Sequence, residues 1–480
     1  MRKVTGAHRS QLVFQFLAES NLIVFTGFLL SVGLVDLLLP AFNAVIDRNY
    51  VFSAETAGPI LLFLGLTTLV VGLASGSYPA LIMSKMKPAS ILKGKMETSR
   101  SGLILRKGLV ITQFALSVLM IASTMIISDQ IDFVRGRNLG FNQEQLLVID
   151  INDRNTRENF EAMKTEFKNH PDVFDVTAVS RVPGEWKSIS ETYLRHIGGE
   201  SQDSVPSYHM NFDESALGVF EMEMTTGAYF TGNIGVDSSK VILNETAVRL
   251  LGLESPVGSQ VNIGLPDRPF TVAGVVKDFH FQSLHDEVQP LIIGAWNNPI
   301  TAVDYFILKI DGTRMQEAIA HATTVHNQFD QRTAMEFHFL DDQLDRFYQD
   351  DQRTGRVFAV GAGLTIFIAC MGLFGLAAYM IGRRTKEIGV RKVLGASSIS
   401  LFLLLAKSFV MQIVIALAIA TPLAIFAMNQ WLSFFAYRVD IGADVFVITA
   451  VATIGIALIS ISYRAVKAAL INPVDSLRAE

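Results

Sequence analysis

One cysteine, Cys370, is all that the 480 residues contain, which excludes an intramolecular disulfide and leaves packing or lipid to supply stability. Charge is sparse as well: 18% of residues are Asp, Glu, Lys or Arg, against roughly 25% in an average soluble domain. With 50% of residues hydrophobic and a mean hydropathy of +0.36, intrinsic disorder is excluded and a wholly soluble fold is disfavoured. Nucleotide-binding signatures are missing: there is no G-x-x-x-x-G-K-[ST] loop and no G-x-G-x-x-G after a strand. Nor is there a G-x-S-x-G nucleophile elbow.

What is present is long apolar runs. A bilayer core of about 30 Å takes about 20 apolar helical residues. Six stretches reach that length: 12–46, 58–83, 108–128, 357–382, 401–429 and 443–463. The stretches 58–83 and 357–382 run for 26 residues each without a charge, a pattern rare in the buried helices of soluble cores. The basic start, Met1–Arg9, precedes an apolar run too long for a signal peptide and without a small-residue cleavage site.

Basic residues near helix ends mark the cytoplasmic side. Lys and Arg cluster at residues 2–9, at 85–107 between the second and third spans, at 383–392 between the fourth and fifth, and again in the carboxyl tail. Six spans then put both termini inside and the long interval 129–355 outside. That interval holds 35 acidic and 18 basic residues, a net charge of -17, and the remainder holds 10 acidic and 22 basic, or +12. The overall -5 thus averages an acidic outer region and a basic membrane portion.

Short motifs recur at both ends of the membrane portion. Arg2-Lys3-Val4-Thr5-Gly6-Ala7 matches Arg391-Lys392-Val393-Leu394-Gly395-Ala396, and Ser77-Tyr78, Pro88 and Leu92 match Ser462-Tyr463, Pro473 and Leu477. Each motif pair brackets two apolar helices, so a duplicated membrane unit is expected. The first copy begins inside its basic motif, which suggests either a truncated amino terminus or a working protein that has lost its leading unit.

The outer interval reads as an α+β domain. Strands are expected at 146–151, 173–182, 240–244, 270–276, 305–310 and 335–340, and helices at 155–170 and 315–329. Residues 128–137 and 341–356 read as helical stalks continuing the third and fourth spans, suited either to carrying movement or to simple support. Eight of nine histidines lie in this interval, but His280/His285 and His321/His326 are five apart, off one helical face, and no cysteine accompanies them. Solvated loop histidines are the simpler reading, and no enzyme site is supported. Within the spans the charged residues are few, Glu19, Asp36 and Lys407, with Asp444 at a boundary, too few to mark an ion pathway.

The inner stretch 383–396, RRTKEIGVRKVLGA, reads as a short amphipathic helix with Glu387 and Arg391 in pairing register. It suits a positive-inside anchor or a docking surface for a cytoplasmic partner. Here the chain resembles the FtsX/MacB-like permeases of ABC transporters, over essentially its whole length. RRTKEIGVRKVLGAS, FHFLDDQLDRFYQDDQRTGRVF, LRKGLVITQFALSV, LNETAVRLLGL, DFHFQSLHDEVQPLI and INPVDSLRAE all carry the likeness.

The resemblance implies an α-helical integral membrane protein of six helices with an inserted α+β extracytoplasmic domain. Residues 1–95 would be the end of a first permease unit and 96–107 a basic linker. Residues 108–128 would be the first helix of a second unit, 129–355 a MacB-like periplasmic domain, and 356–480 the remaining membrane domain with a coupling loop at 383–397. It further implies a long two-unit permease lacking its beginning, placed in a bacterial inner membrane. A cytoplasmic ABC ATPase dimer would dock on Glu387, Ile388, Gly389, Arg391, Lys392, Gly395 and Ala396, and on Arg2, Lys3, Gly6 and Ala7 of the first copy. ATP would be used by that partner, leaving this chain without cofactor, metal, nucleic-acid or catalytic site, and a periplasmic adaptor or substrate protein is a further expected partner. A membrane-anchored sensor with a ligand-binding outer domain is the alternative from another class.

Overall fold

A computed structural model of the chain describes residues 8–51, 54–85, 100–184, 188–198, 204–264, 268–296, 302–383, 390–391, 394 and 397–470. It opens with α1 (Arg9–Ile46), α2 (Ala54–Lys85) and α3 (Arg100–Arg135). Next come β1 (Leu146–Asp150), α4 (Phe160–Lys168), β2 (Val173–Val179), β3 (Ser190–His196), β4 (Val205–Phe212), β5 (Met224–Gly227), β6 (Lys240–Asn244) and α5 (Glu245–Leu250). They are followed by β7 (Gln260–Ile263), β8 (Pro269–Val276), β9 (Leu291–Ala295), β10 (Tyr305–Ile310), α6 (Met315–Phe329), β11 (Phe337–Phe339) and α7 (Leu340–Asp345). The chain ends with α8 (Gln349–Arg383), α9 (Ser398–Leu432) and α10 (Ala443–Leu470). It divides into two compact units, the first formed by residues 1–125, 353–424 and 442–480, the second by 126–352 and 425–441.

The first unit is helical. Among the described residues six helices are long and apolar enough to cross a membrane, as expected from the runs. Apolar side chains cannot drive helix association in lipid, so close approach through small residues must do it. In the α1–α2 hairpin, a Cβ on Gly72 would come within 2.3 Å of Asn21 Oδ1, and one on Gly76 within 2.9 Å of Ser20 Cβ. In the bundle of α3, α8, α9 and α10, Ala369, Ala377, Ala416 and Ala457 pack with Phe114, Phe409 and Ile413 in one buried seam. The opposite faces, Leu364, Phe367 and Met371 among them, are exposed, as lipid-facing positions are.

Among the described residues the second unit holds eleven strands, in two subdomains. Strands β11–β1–β10–β2 lie side by side, every pair antiparallel. With α4 between β1 and β2, and α6 between β10 and β11, this is a split β-α-β arrangement of ferredoxin-like order. Period-two alternation gives the sheet two faces. Leu147, Ile149, Phe306 and Leu308 pack against Phe160, Met163 and Phe167 on α4 and Ala318 and Ala322 on α6, while Leu146, Val148, Tyr305 and Ile307 face a second core.

Between β2 and β10 the chain builds the other subdomain. Strands β4–β3–β7–β8–β6–β9 form a ring closed by the parallel β9–β4 pair. Closure removes exposed edges. Leu194, Val241, Leu243, Val261, Phe270, Val272 and Ile292 make its buried core. Entry and exit lie together: the Asp304 amide donates to the Val179 carbonyl at 2.9 Å, and the Asp304 carboxylate takes both Arg157, at 2.6 Å, and Arg181.

Strands expected at 240–244 and 305–310 are β6 and β10, and the helix at 315–329 is α6. Three details differ. The helix expected over 155–170 is two pieces, Arg154–Glu158 and α4, because Asn159 leaves the helical region at φ -104°, ψ 19° and stands as the N-cap residue of α4. The strand expected at 335–340 is only β11, since Leu340 already starts α7. The stalk expected at 341–356 is interrupted by a 3-10 turn at Arg346–Tyr348 between α7 and α8.

Candidate functional site

The inferred docking residues are described in part. Arg391 is in a helical turn and exposed. In the same turn the Leu394 amide donates to the Val390 carbonyl at 3.0 Å, and both side chains stand in the open, 80% and 47% exposed. Glu387, Ile388, Gly389, Lys392, Gly395 and Ala396, with Arg2, Lys3, Gly6 and Ala7, lie outside the described residues.

The best-built arrangement in the second unit is a joint that pattern reading did not find. It gathers the last turns of α3, the loop 279–285, the α7–α8 junction and the outer loop after α9. Gln130 on α3 is fully buried and grips that loop twice: its Nε2 donates to the Tyr437 carbonyl at 2.8 Å, and its Oε1 accepts from the Val439 amide at 2.9 Å. A buried amide with both ends satisfied fixes register as well as contact. The Arg137 guanidinium lies 3.9 Å from the Tyr437 ring centre, a cation–π contact, and His280 meets the same ring edge-on at 4.9 Å. Burial, reinforced by Arg137, pushes the His280 imidazole below its usual pKa, keeping it neutral beside that cation.

Phe435 anchors the other half. It stacks on His285 at 4.1 Å, with Trp431 at 5.0 Å, and the Ala436 amide donates to the His285 carbonyl at 2.9 Å. On its other side His285 stacks on Tyr348 at 5.9 Å, and the Tyr348 hydroxyl accepts from the Leu284 amide at 2.9 Å. His285 Nδ1 sits 2.6 Å from Ser283 Oγ, and Nε2 sits 3.4 Å from Asp351. These are the residue types of a hydrolytic triad, but the imidazole is packed between two rings, and the geometry is that of a structural rivet.

The 3-10 turn is held from below by α7. Gln343 Nε2 donates to the Gly184 carbonyl at 2.7 Å, and Asp345 pairs with Arg135 at 3.1 Å. Gly184 has φ +78°, and a Cβ there would lie 2.4 Å from Leu344 Cδ2, so any side chain would be strained and would have to displace Leu344. A short 3-10 segment between two α-helices is a change of pitch at which hinges occur, and here its last residue, Tyr348, is tied to Leu284 and His285. The one sequence signal for the joint is the aromatic density of the loop, Trp431, Phe434, Phe435 and Tyr437. Its partners, up to 309 positions away in the chain, carry none.

Six membrane-length helices and an α+β domain inserted between two of them define a multi-pass membrane protein with an extracytoplasmic domain. Residues 108–324 match the MacB-like periplasmic core domain, and the FtsX-like permease C-terminal domain matches twice, over 1–88 and 359–472. The chain belongs to the FtsX/MacB-like family of ABC transporter permeases, and the double match is the duplication expected from the repeated motifs.

Among curated relatives, a macrolide export ATP-binding/permease protein MacB from Rhodopirellula baltica is 24% identical over 306 residues, 54% of this chain and 43% of that protein. Another from Bdellovibrio bacteriovorus is 35% identical over 94 residues, 19% of this chain and 14% of that protein. The matched stretches thus span less than half of either relative. Among solved structures, the periplasmic region of MacB from Actinobacillus actinomycetemcomitans aligns at 17% identity, covering 45% of this chain and 98% of that one with a TM-score of 0.32. The extracellular domain of the noncanonic ABC-type transporter YknZ from Gram-positive bacteria aligns at 16%, covering 40% and 98%, with a TM-score of 0.30.

Proposed function

We propose that the chain is the membrane subunit of an ABC-type export or mechanotransmission system, in which a separate cytoplasmic ATPase dimer drives movement of the outer domain. The observation that carries this reading is the pair of permease matches, each containing one copy of the basic inner motif. In the second copy, Val390 and Leu394 expose adjacent apolar side chains on one helical turn, a surface that a protein partner would cover. The ATPase would contact Glu387, Ile388, Gly389, Arg391, Lys392, Gly395 and Ala396, and Arg2, Lys3, Gly6 and Ala7 in the first copy. ATP would be bound and hydrolysed by the partner, with no cofactor and no catalysis in this chain. Both termini would face the cytoplasm of a bacterial inner membrane, and a periplasmic adaptor or substrate protein would meet the outer domain.

Movement would pass through α3 and α8, the covalent links between the membrane helices and the outer domain. The 3-10 turn at Arg346–Tyr348 supplies the pivot, and Gln130 with Phe435 keeps the outer loop in step. The test is co-purification with the ATPase, together with its turnover in a reconstituted bilayer. Glu387→Ala combined with Arg391→Ala is expected to weaken association and uncouple turnover. If both are unchanged, the docking assignment is wrong. A protein of the sensor type would bind a ligand outside and show no dependence on an ATPase.

A further inference from the structure

One carboxylate of the helical unit stands where a lipid-facing helix tolerates charge least. Asp36 lies on α1 among Leu34, Val35, Leu37 and Leu38, all exposed, and makes no hydrogen bond or ion pair among the described residues. Its depth follows from the packing of the α1–α2 hairpin. Gly72 of α2 meets Asn21 of α1; Asp36 is fifteen residues beyond Asn21 and Gly58 is fourteen before Gly72, so at 1.5 Å per residue both stand about 21–22 Å along and level with each other. The apolar span of α2 begins at Gly58, which puts Asp36 at the edge of the hydrocarbon, at headgroup depth. Arg356, near the start of α8, donates to the Val45 carbonyl at 3.0 Å, so this end of the hairpin is beside the end of α8 that leads to the inserted domain.

A backbone acceptor is left open at the same residue. Pro40 stands inside α1 and has no N–H, so the helical hydrogen bond to the Asp36 carbonyl cannot form. Beyond it the chain builds a cleft of about 570 Å³, lined by Asp36, Pro40, Asn43, Asp47, Arg48 and Tyr50 among others. Asn43 shapes it: its side-chain amide donates to the Tyr50 carbonyl at 2.8 Å and its Oδ1 accepts from the Tyr50 amide at 3.2 Å, folding the loop back on α1. Asp47 is paired with Arg353 of α8 at 3.9 Å, so the cleft offers one unpaired carboxylate, one open carbonyl and the Arg48 guanidinium. Two acceptors on one residue call for a cation with several N–H donors, and the guanidinium calls for an anion beside it. We propose that this cleft seats the headgroup of a phosphatidylethanolamine, its ammonium donating to the Asp36 carboxylate and carbonyl and its phosphate turned toward Arg48. A choline headgroup has the same charge and no N–H to donate, and a serine headgroup brings another carboxylate to a site that already has two. Because Arg353 and Arg356 hold the same loop to α8, the bound lipid would fix the depth of the hairpin and reinforce that tie. Binding does not depend on the ATP-coupled reading.

The test uses the full chain in detergent, with native mass spectrometry counting retained lipids while phosphatidylethanolamine, phosphatidylcholine and phosphatidylserine of identical acyl chains compete. One phosphatidylethanolamine per chain is expected, held about tenfold more tightly than either competitor. Asp36→Asn keeps the shape and removes the charge, whereas Pro40→Ala restores the N–H that the Asp36 carbonyl lacks; each should lower the preference several-fold. In nanodiscs, phosphatidylethanolamine in place of phosphatidylcholine should slow amide exchange over 47–51. Equimolar glycerophosphoethanolamine, the headgroup without its chains, should leave the lipid bound. Equal retention of the three lipids, an unchanged preference in either variant, protection confined to other segments, or displacement by the soluble headgroup would each overturn the proposal. No ATPase is present, so these outcomes are independent of whether the chain couples to one.

Discussion

Acidification should loosen the barrel of the outer unit through one side chain, His209. It lies on β4 with no exposed surface, opposite Ser190 of β3 and Ile292 of β9 in register, and neither ring nitrogen has a hydrogen-bond partner. Burial lowers its pKa from 6.5 to about 4. The folded state therefore favours the neutral ring, and the unfolded state binds the proton first as pH falls. The stabilisation is fully present above pH 6.5, declines through the window between the two values, and is gone below pH 4. At about 1.36 kcal/mol per pH unit of difference, the full loss is on the order of 3 kcal/mol, and about 2 kcal/mol of it has gone by about pH 5. The assay is amide exchange of β6, β7 and β9 in the full chain, corrected for intrinsic rates, between pH 7.5 and 4.5. His209→Phe should flatten the pH dependence of barrel opening and, by removing an unsatisfied polar group, leave the barrel at least as stable at neutral pH. An unaltered pH profile in that variant would refute the reasoning.

Three further outcomes follow from the same structure. Lys164 on α4 is buried and donates to Asp213 and Glu214, both at 2.7 Å. Lys164→Met strands the buried Asp213 carboxylate and should cost about 3–5 kcal/mol, read as a lower thermal midpoint that Lys164→Met with Asp213→Asn partly restores. Gln130→Ala removes the partner of the Tyr437 carbonyl and Val439 amide, both in a half-buried loop, a local cost of about 1 kcal/mol for each bond. Faster exchange of the Val439 amide, with new protease sensitivity in 433–441, would register it. Gly184→Ala must relieve both its positive φ and the contact with Leu344, costing about 1–3 kcal/mol, and should speed exchange across α7 while leaving β6 and β7 unchanged.

Physical reasons separate what the sequence made legible from what it hid. The membrane helices stood out because a bilayer selects for length and apolarity, both local properties. Strands β6 and β10 were visible as short β-branched runs, KVILN and YFILKI. Strand β4 was not: VPSYHMNF alternates Tyr208, Met210 and Phe212 with Ser207, His209 and Asn211, and both sets are largely buried, so polarity gave a false sign of solvent. Strand β3 is mostly exposed and carries Glu191, Tyr193 and Arg195 outward, the composition of a surface loop. The joint was hidden for another reason. Gln130 and Val439 are each ordinary in their own windows, and only the tertiary fold gives them a shared role. The family's docking motif was the reverse case, plain in sequence, with Arg391 the one member of the inferred set that the structure describes.

The neighbouring entry and exit of the β4–β3–β7–β8–β6–β9 ring give the outer unit a modular history. The Val179 carbonyl and Asp304 amide are bonded to each other, and strands β2 and β4 share only the Val179–Phe212 pair. Everything from residue 180 to 303 can therefore be regarded as a cassette plugged into the turn between two strands of an otherwise complete four-stranded domain. An exchanged cassette would have to keep the backbone bond at the mouth, the Arg157–Asp304–Arg181 bracket, the Lys164 pairs with Asp213 and Glu214, and the apolar core that Phe212, Phe220, Phe279 and Leu291 share with Val148, Tyr305 and Ile307. A lineage could thus vary the ring while inheriting the four-stranded base, provided Gly184 and the loop 279–285, the cassette's own share of the joint, are kept.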